Sequence, residues 1–175
     1  MNILAFAASN NKQSINRTLA SYAANLIEGA NIEILDISDY EMPIFSDDRE
    51  KELGQPEQAQ AFSKKISNAD AIIVSYAEHN GTYTAAYKNL FDWTSRISKD
   101  VFQHKPVVFL STSPGPGGAA NVLATAVKSA PHFAADMRAS LSVPSFYNNF
   151  DIEANTLISS KIQKDLQQAV QLLAA

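Results

Sequence analysis

Runs of a few apolar residues alternate along the chain with longer stretches of helical periodicity, and this alternation restricts the fold more than any other feature. The runs cover residues 3–8, 31–37, 71–76, 106–111 and 138–143. Residues 71–76, Ala-Ile-Ile-Val-Ser-Tyr, are the clearest, being short and rich in the β-branched side chains that suit a pleated strand. Apolar residues recur at three- and four-residue steps over 16–28, 58–69, 84–97, 119–130 and 155–173. A charged loop holding Pro43, Gly54 and Pro56 is expected over 39–56. Parallel strands need crossovers, so strands separated by helices make a parallel sheet covered on both faces. The expected architecture is a three-layer α/β domain over residues 1–175, a length that suits one such unit.

Composition excludes several classes of function. Hydrophobic residues make up 46% and charged residues 18%, which is incompatible with a disordered chain. The formal charge of −4, without a basic block, argues against a nucleic-acid partner. With no cysteine there is no disulfide framework, thiolate metal site or Cys nucleophile. His79, His104 and His132 lack the spacing of a metal site. No run approaches the ~20 apolar residues of a membrane span. The apolar start has no positive charge ahead of it and is too short for a signal-peptide core, so it reads as a buried strand and the expected location is the cytoplasm.

In sheets of this kind ligands bind beyond the carboxyl ends of the strands. The loops after the first, third and fourth strands therefore carry the candidate site. The first, residues 9–17, places Ser9, Asn11, Ser14, Ile15 and Asn16 at a helix start, where exposed N–H groups suit a phosphate. Taken alone it reads first as ordinary N-capping by Ser14 or Asn16. It has no glycine and no Gly-Lys-Ser or Gly-Lys-Thr, so it is neither a dinucleotide turn nor a Walker loop. The second loop, Ala77-Glu78-His79-Asn80-Gly81, offers a turn whose amides can face a flat ligand. The third, Ser113-Pro114-Gly115-Pro116-Gly117-Gly118, is a shaped backbone surface with little side-chain bulk.

In this order the three loops resemble the NADPH-dependent FMN reductase family of the flavodoxin-like fold. That family's strand followed by Gly-Ser-x-Arg-x-x-Ser-x-Asn is matched by residues 8–16. Its Pro-Glu-Tyr-Asn loop and following Leu-Lys-Asn-x-x-Asp-Trp are matched by 77–80 and 87–93, and its glycine-rich third loop by 113–118. The segment 43–47 is similar to the family's loop after the second strand. The resemblance implies strand order 2-1-3-4-5 and FMN as cofactor. It implies that Ser9, Ser14, Ile15 and Asn16 hold the phosphate and that Glu78, His79, Asn80 and Gly81 run along the flavin ring. Ser113, Pro114, Gly115, Gly117 and Gly118 would border the ring from the other side. Asn11 stands where the family commonly has Arg, Ala77 where it has Pro, and His79 where it has Tyr. Lys12 or Arg17 is available to supply the missing charge.

The implied activity is ping-pong transfer of a hydride from NADPH or NADH to FMN and onward to a small-molecule acceptor such as a quinone or free flavin. The protein needs no acid–base residue for this, because the cofactor carries the chemistry. Small residues in the three loops, with no Trp among them, leave the ring face open to both substrates. A flavodoxin-like one-electron carrier without a nicotinamide site is the alternative, and a hydrolase is disfavoured because no Gly-x-Ser-x-Gly occurs. The family resemblance implies a homodimer or homotetramer. The large apolar residues Tyr87, Phe91 and Trp93 on one helix point the same way, as more apolar surface than a lone domain needs.

Overall fold

The computed structural model describes residues 1–174. Its sheet is built from β1 (Asn2–Ala8), β2 (Asn31–Leu35), β3 (Ala71–Tyr76), β6 (Pro106–Thr112) and β7 (Asp136–Val143). All are parallel, in the order β2-β1-β3-β6-β7, which is the expected 2-1-3-4-5 counted along the main strands. A register shift at Val107/Val108 leaves Arg138 as the extra residue of the edge strand β7.

Because side chains alternate across a strand, each apolar run supplies both faces of the sheet. Leu4, Phe6, Ile72, Val74, Tyr76, Val107 and Phe109 face one core. They pack under α3 (Glu57–Asn68), α4 (Ala85–Ile97) and α5 (Ala120–Ser129). Ile3, Ala5, Ala71, Ile73, Val108 and Leu110 face the other, beneath α1 (Ile15–Asn25) and α7 (Ser160–Gln171). The chain thus leaves β1 toward one face and β3 toward the other. Such a reversal opens a crevice at the strand ends between them.

Three stretches differ from the sequence expectation. The charged stretch 39–56 is not a plain loop: it contains α2 (Asp47–Leu53), which buries none of its residues. Ser46 caps its first turn and Gly54, at φ 67°, ends it. The chain after β3 folds into a small hairpin, β4 (Glu78–His79) and β5 (Thr82–Tyr83), turned by Asn80 and Gly81 at φ 52° and 80°. The last helix begins at Ser160 rather than 155, capped by Ser159. Before it, α6 (Phe146–Asn149), β8 (Phe150–Asp151) and β9 (Thr156–Leu157) fill the segment that leaves the edge strand.

Trp93 and Tyr87 are buried within the chain itself. Trp93 Nε1 donates to the Pro43 carbonyl at 2.7 Å, and its ring meets Phe45 edge to face. The apolar surface that pointed to subunit pairing is covered largely from within. Among the described residues no helix is long and apolar enough to cross a membrane.

Candidate functional site

The loop after β1 is knitted to itself before α1 begins. Ser9 Oγ accepts the Asn11 N–H at 3.2 Å, and Asn11 Oδ1 accepts the Gln13 N–H at 3.0 Å. Ser14 N–H donates to the Asn11 carbonyl at 3.1 Å, and Ser14 Oγ caps the helix by accepting the Arg17 N–H. Ile15 and Asn16 then present N–H groups that have no acceptor among the described residues, as the first turn of any helix does. Ser9 Oγ and Ser14 Oγ accept in these bonds and donate to no acceptor among the described residues, so their hydroxyl protons are also available.

The Asn16 side chain has another task. It is 3% exposed and points inward, with Oδ1 accepting from Ser75 Oγ at 2.7 Å and from Thr112 N–H at 3.0 Å. Its Nδ2 donates to the Thr112 carbonyl at 3.1 Å. The residue therefore ties α1 to β3 and β6 and offers only its backbone to a ligand. Thr84 performs a similar service for α4, capping the helix while its hydroxyl donates to the Ala8 carbonyl at 3.0 Å.

Arg17 is already engaged by a partner. Its guanidinium pairs with Asp36 at 2.7 Å. The Asp36 carboxyl is held below its ordinary range, first by the Ser38 N–H and also by Arg17, against the opposing effect of partial burial. With Arg17 paired, the first loop offers an anion neutral donors and the positive end of a helix dipole, with Lys12, on an adjoining hollow, as its remaining cation.

On the second loop the Glu78 side chain turns to α5. Its Oε2 accepts the Val122 N–H at 2.9 Å, and Oε1 accepts from Asn121 Nδ2 at 3.4 Å. A carboxylate there supplies the capping group that Ala119, the residue before α5, lacks. On the third loop Gly118, at φ 58°, packs so tightly that a Cβ would lie 3.1 Å from the Pro144 backbone. Its carbonyl accepts from Ser111 Oγ at 2.7 Å and Ser142 Oγ at 2.9 Å. This glycine is fixed by packing against β6 and β7.

A cleft of about 240 Å³ collects ten of the expected residues: Ser9, Asn11, Ser14, Ile15, Asn16, Ala77, Glu78, His79, Ser113 and Pro114. Asn80, Gly81, Gly115, Gly117 and Gly118 do not line it. Gln13, Thr112 and Tyr147 do, and the sequence reading missed them. Tyr147 comes from α6, beyond the fifth strand, and is 59% exposed at the rim. Its sequence signal is an aromatic just past Pro144-Ser145, at the end of a run of strand-forming residues. A wider hollow of about 700 Å³ adjoins the cleft, sharing Gln13, Ser14, Ile15 and Tyr147 and reaching Lys12. Among the described residues no cluster of His, Cys, Asp or Glu could hold a metal ion.

A family model described as NADPH-dependent FMN reductase matches residues 1–148. The chain is 34% identical over 120 residues to an NADPH:quinone oxidoreductase of Arabidopsis thaliana, a match covering 66% of this chain and 60% of the relative. It is 32% identical over 119 residues to an NAD(P)H-dependent FMN reductase of Pseudomonas aeruginosa, covering 67% of this chain and 63% of that one. The matches thus span about three fifths of the curated relatives' own length. Among solved structures, a flavoenzyme NAD(P)H:(acceptor) oxidoreductase from Paracoccus denitrificans superimposes with a TM-score of 0.80 at 25% identity, covering 98% of this chain and 94% of that one.

Proposed function

The chain belongs to the NADPH-dependent FMN reductase family, and from that premise we propose that it is an FMN-dependent NAD(P)H oxidoreductase acting on a quinone, a free flavin or a related small acceptor. One observation carries the reading. The N–H groups of Ile15 and Asn16, with the hydroxyls of Ser9 and Ser14, converge at the head of α1, beside a slot between the loops after β3 and β6.

The donor set fits a phosphate, which a helix start binds through N–H groups and dipole even without a paired cation. Ile15, Asn16, Ser9 and Ser14 would hold it, with the Asn11 amide in reach of the same cleft. The backbone of Ala77, Glu78 and His79 would border the flat ring on one side, and Thr112, Ser113 and Pro114 on the other. When bound, FMN would supply the two-electron redox chemistry that links the nicotinamide to the acceptor. The protein's own part is orientation. Asn16 holds the three loop-bearing elements in register, and Glu78 fixes the hairpin against α5. Tyr147 stands at the rim, where it would guard the approach of both substrates.

The proposal includes one flavodoxin-like domain over 1–175, the cytoplasm as its setting, and a homodimer or homotetramer as the working form. The last rests on the family resemblance, and light scattering at micromolar concentration tests it. The activity is tested by recording the absorbance of purified protein with FMN, before and after NADPH in the absence of air, and then adding a quinone. Bleaching by NADPH and recovery with the quinone support the reading. Bound flavin that no nicotinamide reduces, but that holds a persistent radical on stepwise reduction, would instead establish a one-electron carrier, and no bound flavin would overturn both.

A further inference from the structure

Between α4 and α5, on the aromatic face of the sheet, lies a cavity of about 230 Å³ that shares no lining residue with the cleft at the strand ends. Tyr76 and Phe109 reach it from the sheet, and Tyr83 and Tyr87 from β5 and α4. Phe91 and Phe133 complete the aromatic wall, meeting edge to face with centroids 4.7 Å apart. We propose that this cavity is a second ligand site, for a neutral aromatic molecule of one or two rings that carries a hydroxyl or carbonyl oxygen.

Size sets the first limit. An apolar cavity of about 150 Å³ takes up benzene, so one half again as large has room for a substituted or fused pair of rings. Chemistry sets the second. The wall presents aromatic faces and edges, which favour another ring beyond what area burial alone gives.

The third limit is an unused donor. Tyr76 and Tyr87 are both buried, and their hydroxyls share one contact of 3.4 Å. Each hydroxyl has one proton, so one of the two has no acceptor among the described residues. Tyr83 and Ser129 are joined by an equally long contact of 3.4 Å. Both exceed the usual ~2.7–2.8 Å of a hydroxyl pair. The Ser129 hydroxyl already donates to the Ala126 carbonyl at 3.1 Å, so Tyr83 is the donor in its pair, and the proton left for a guest oxygen is the one unused between Tyr76 and Tyr87. Charge sets the fourth limit. The ionic side chains that line the cavity, Lys88 and Asp92, pair with each other at 2.7 Å and leave no free charge for an ionic guest.

The test uses the full chain and 2-naphthol, which cannot accept electrons and so cannot turn over at the flavin cleft. Calorimetric titration should show saturable uptake of one molecule per chain, unchanged by saturating FMN. Ala126→Phe, which fills the cavity from α5, should abolish uptake while leaving FMN binding as it was. Tyr87→Phe should weaken 2-naphthol up to about tenfold, the loss of one neutral hydrogen bond, and leave naphthalene nearly unaffected. If Ala126→Phe does not fold, the Tyr87→Phe comparison of the two probes decides alone. No saturable uptake, displacement of 2-naphthol by FMN, or equal losses for both probes would overturn the proposal. So would uptake that occurs only as a dimer dissociates, since the groove would then belong to a second copy of the chain.

Discussion

The Asn16 carboxamide pairs with both backbone groups of Thr112, accepting its N–H at 3.0 Å and donating to its carbonyl at 3.1 Å, as a neighbouring strand residue would. One side chain at the start of α1 thereby extends the hydrogen bonding of β6 one residue past the end of β3, whose last paired residue, Tyr76, lies opposite Ser111. Asn16→Ala would leave Thr112 and the Ser75 hydroxyl unmatched in the interior. The expected cost is about 2–3 kcal/mol of folding stability, read as a lower urea midpoint with an unchanged slope. A loss under about 0.5 kcal/mol would mean that these groups find other partners.

Ser14 separates phosphate binding from ring binding. Ser14→Ala removes a helix cap, for about 1 kcal/mol of stability, and a hydroxyl donor at the head of α1. FMN affinity should fall roughly ten- to hundredfold, since a hydrogen bond to a charged group contributes ~1.5–3 kcal/mol. Riboflavin, which lacks the phosphate, should bind the variant and the parent alike. Fluorescence titrations with both ligands make the comparison, and equal losses would count against the assignment.

The two adjacent glycines of the third loop should respond in opposite ways. A Cβ on Gly118 would press on Ser142 and the Pro144 backbone at a positive φ, whereas one on Gly117 would meet nothing within 4 Å. Gly118→Ala is expected to cost about 2 kcal/mol or more, and Gly117→Ala less than about 0.5 kcal/mol. Denaturant unfolding of the two variants side by side checks this.

Burial raises the phenols of Tyr40, Tyr76, Tyr83 and Tyr87 above their ordinary range, so four of the six tyrosines should resist ionisation. In the unfolded chain each would lose its proton near pH 10. The folded state then binds more protons than the unfolded one above that pH. Stability should therefore be unaffected by these groups below about pH 10 and fall as pH rises beyond it. Absorbance at alkaline pH should show these four phenols ionising only above the ordinary range, together with unfolding.

The strands were legible because a buried parallel strand leaves a short apolar run, and the five runs here are well separated, whereas their order came from the family resemblance. Helix α2 was not, because it buries no residue and leaves no apolar period. Its trace lay in the caps, Ser46 before an acidic first turn and Gly54 after the last. Ten of the candidate residues share one cleft because the strand ends bring three loops together. The sequence cannot say which way a side chain on such a loop turns. Asn16 and Glu78 both face the protein, one toward the sheet and one toward α5, for bonds that only the assembled fold reveals. Tyr147 was overlooked because it follows the edge strand, outside the three loops on which the ligand argument rested.

Trp93 is the sole tryptophan, fully buried, with its indole N–H on the Pro43 carbonyl and its ring against Phe45. Its bonded partners thus belong to a segment some fifty residues earlier, the stretch that enters α2. Ultraviolet emission from the chain is consequently a single-site signal. Blue-shifted light reports that segment seated on α4, and a red shift reports its release into water. The chain carries a native optical gauge for one seam of its structure, with no label to attach and no second indole to subtract.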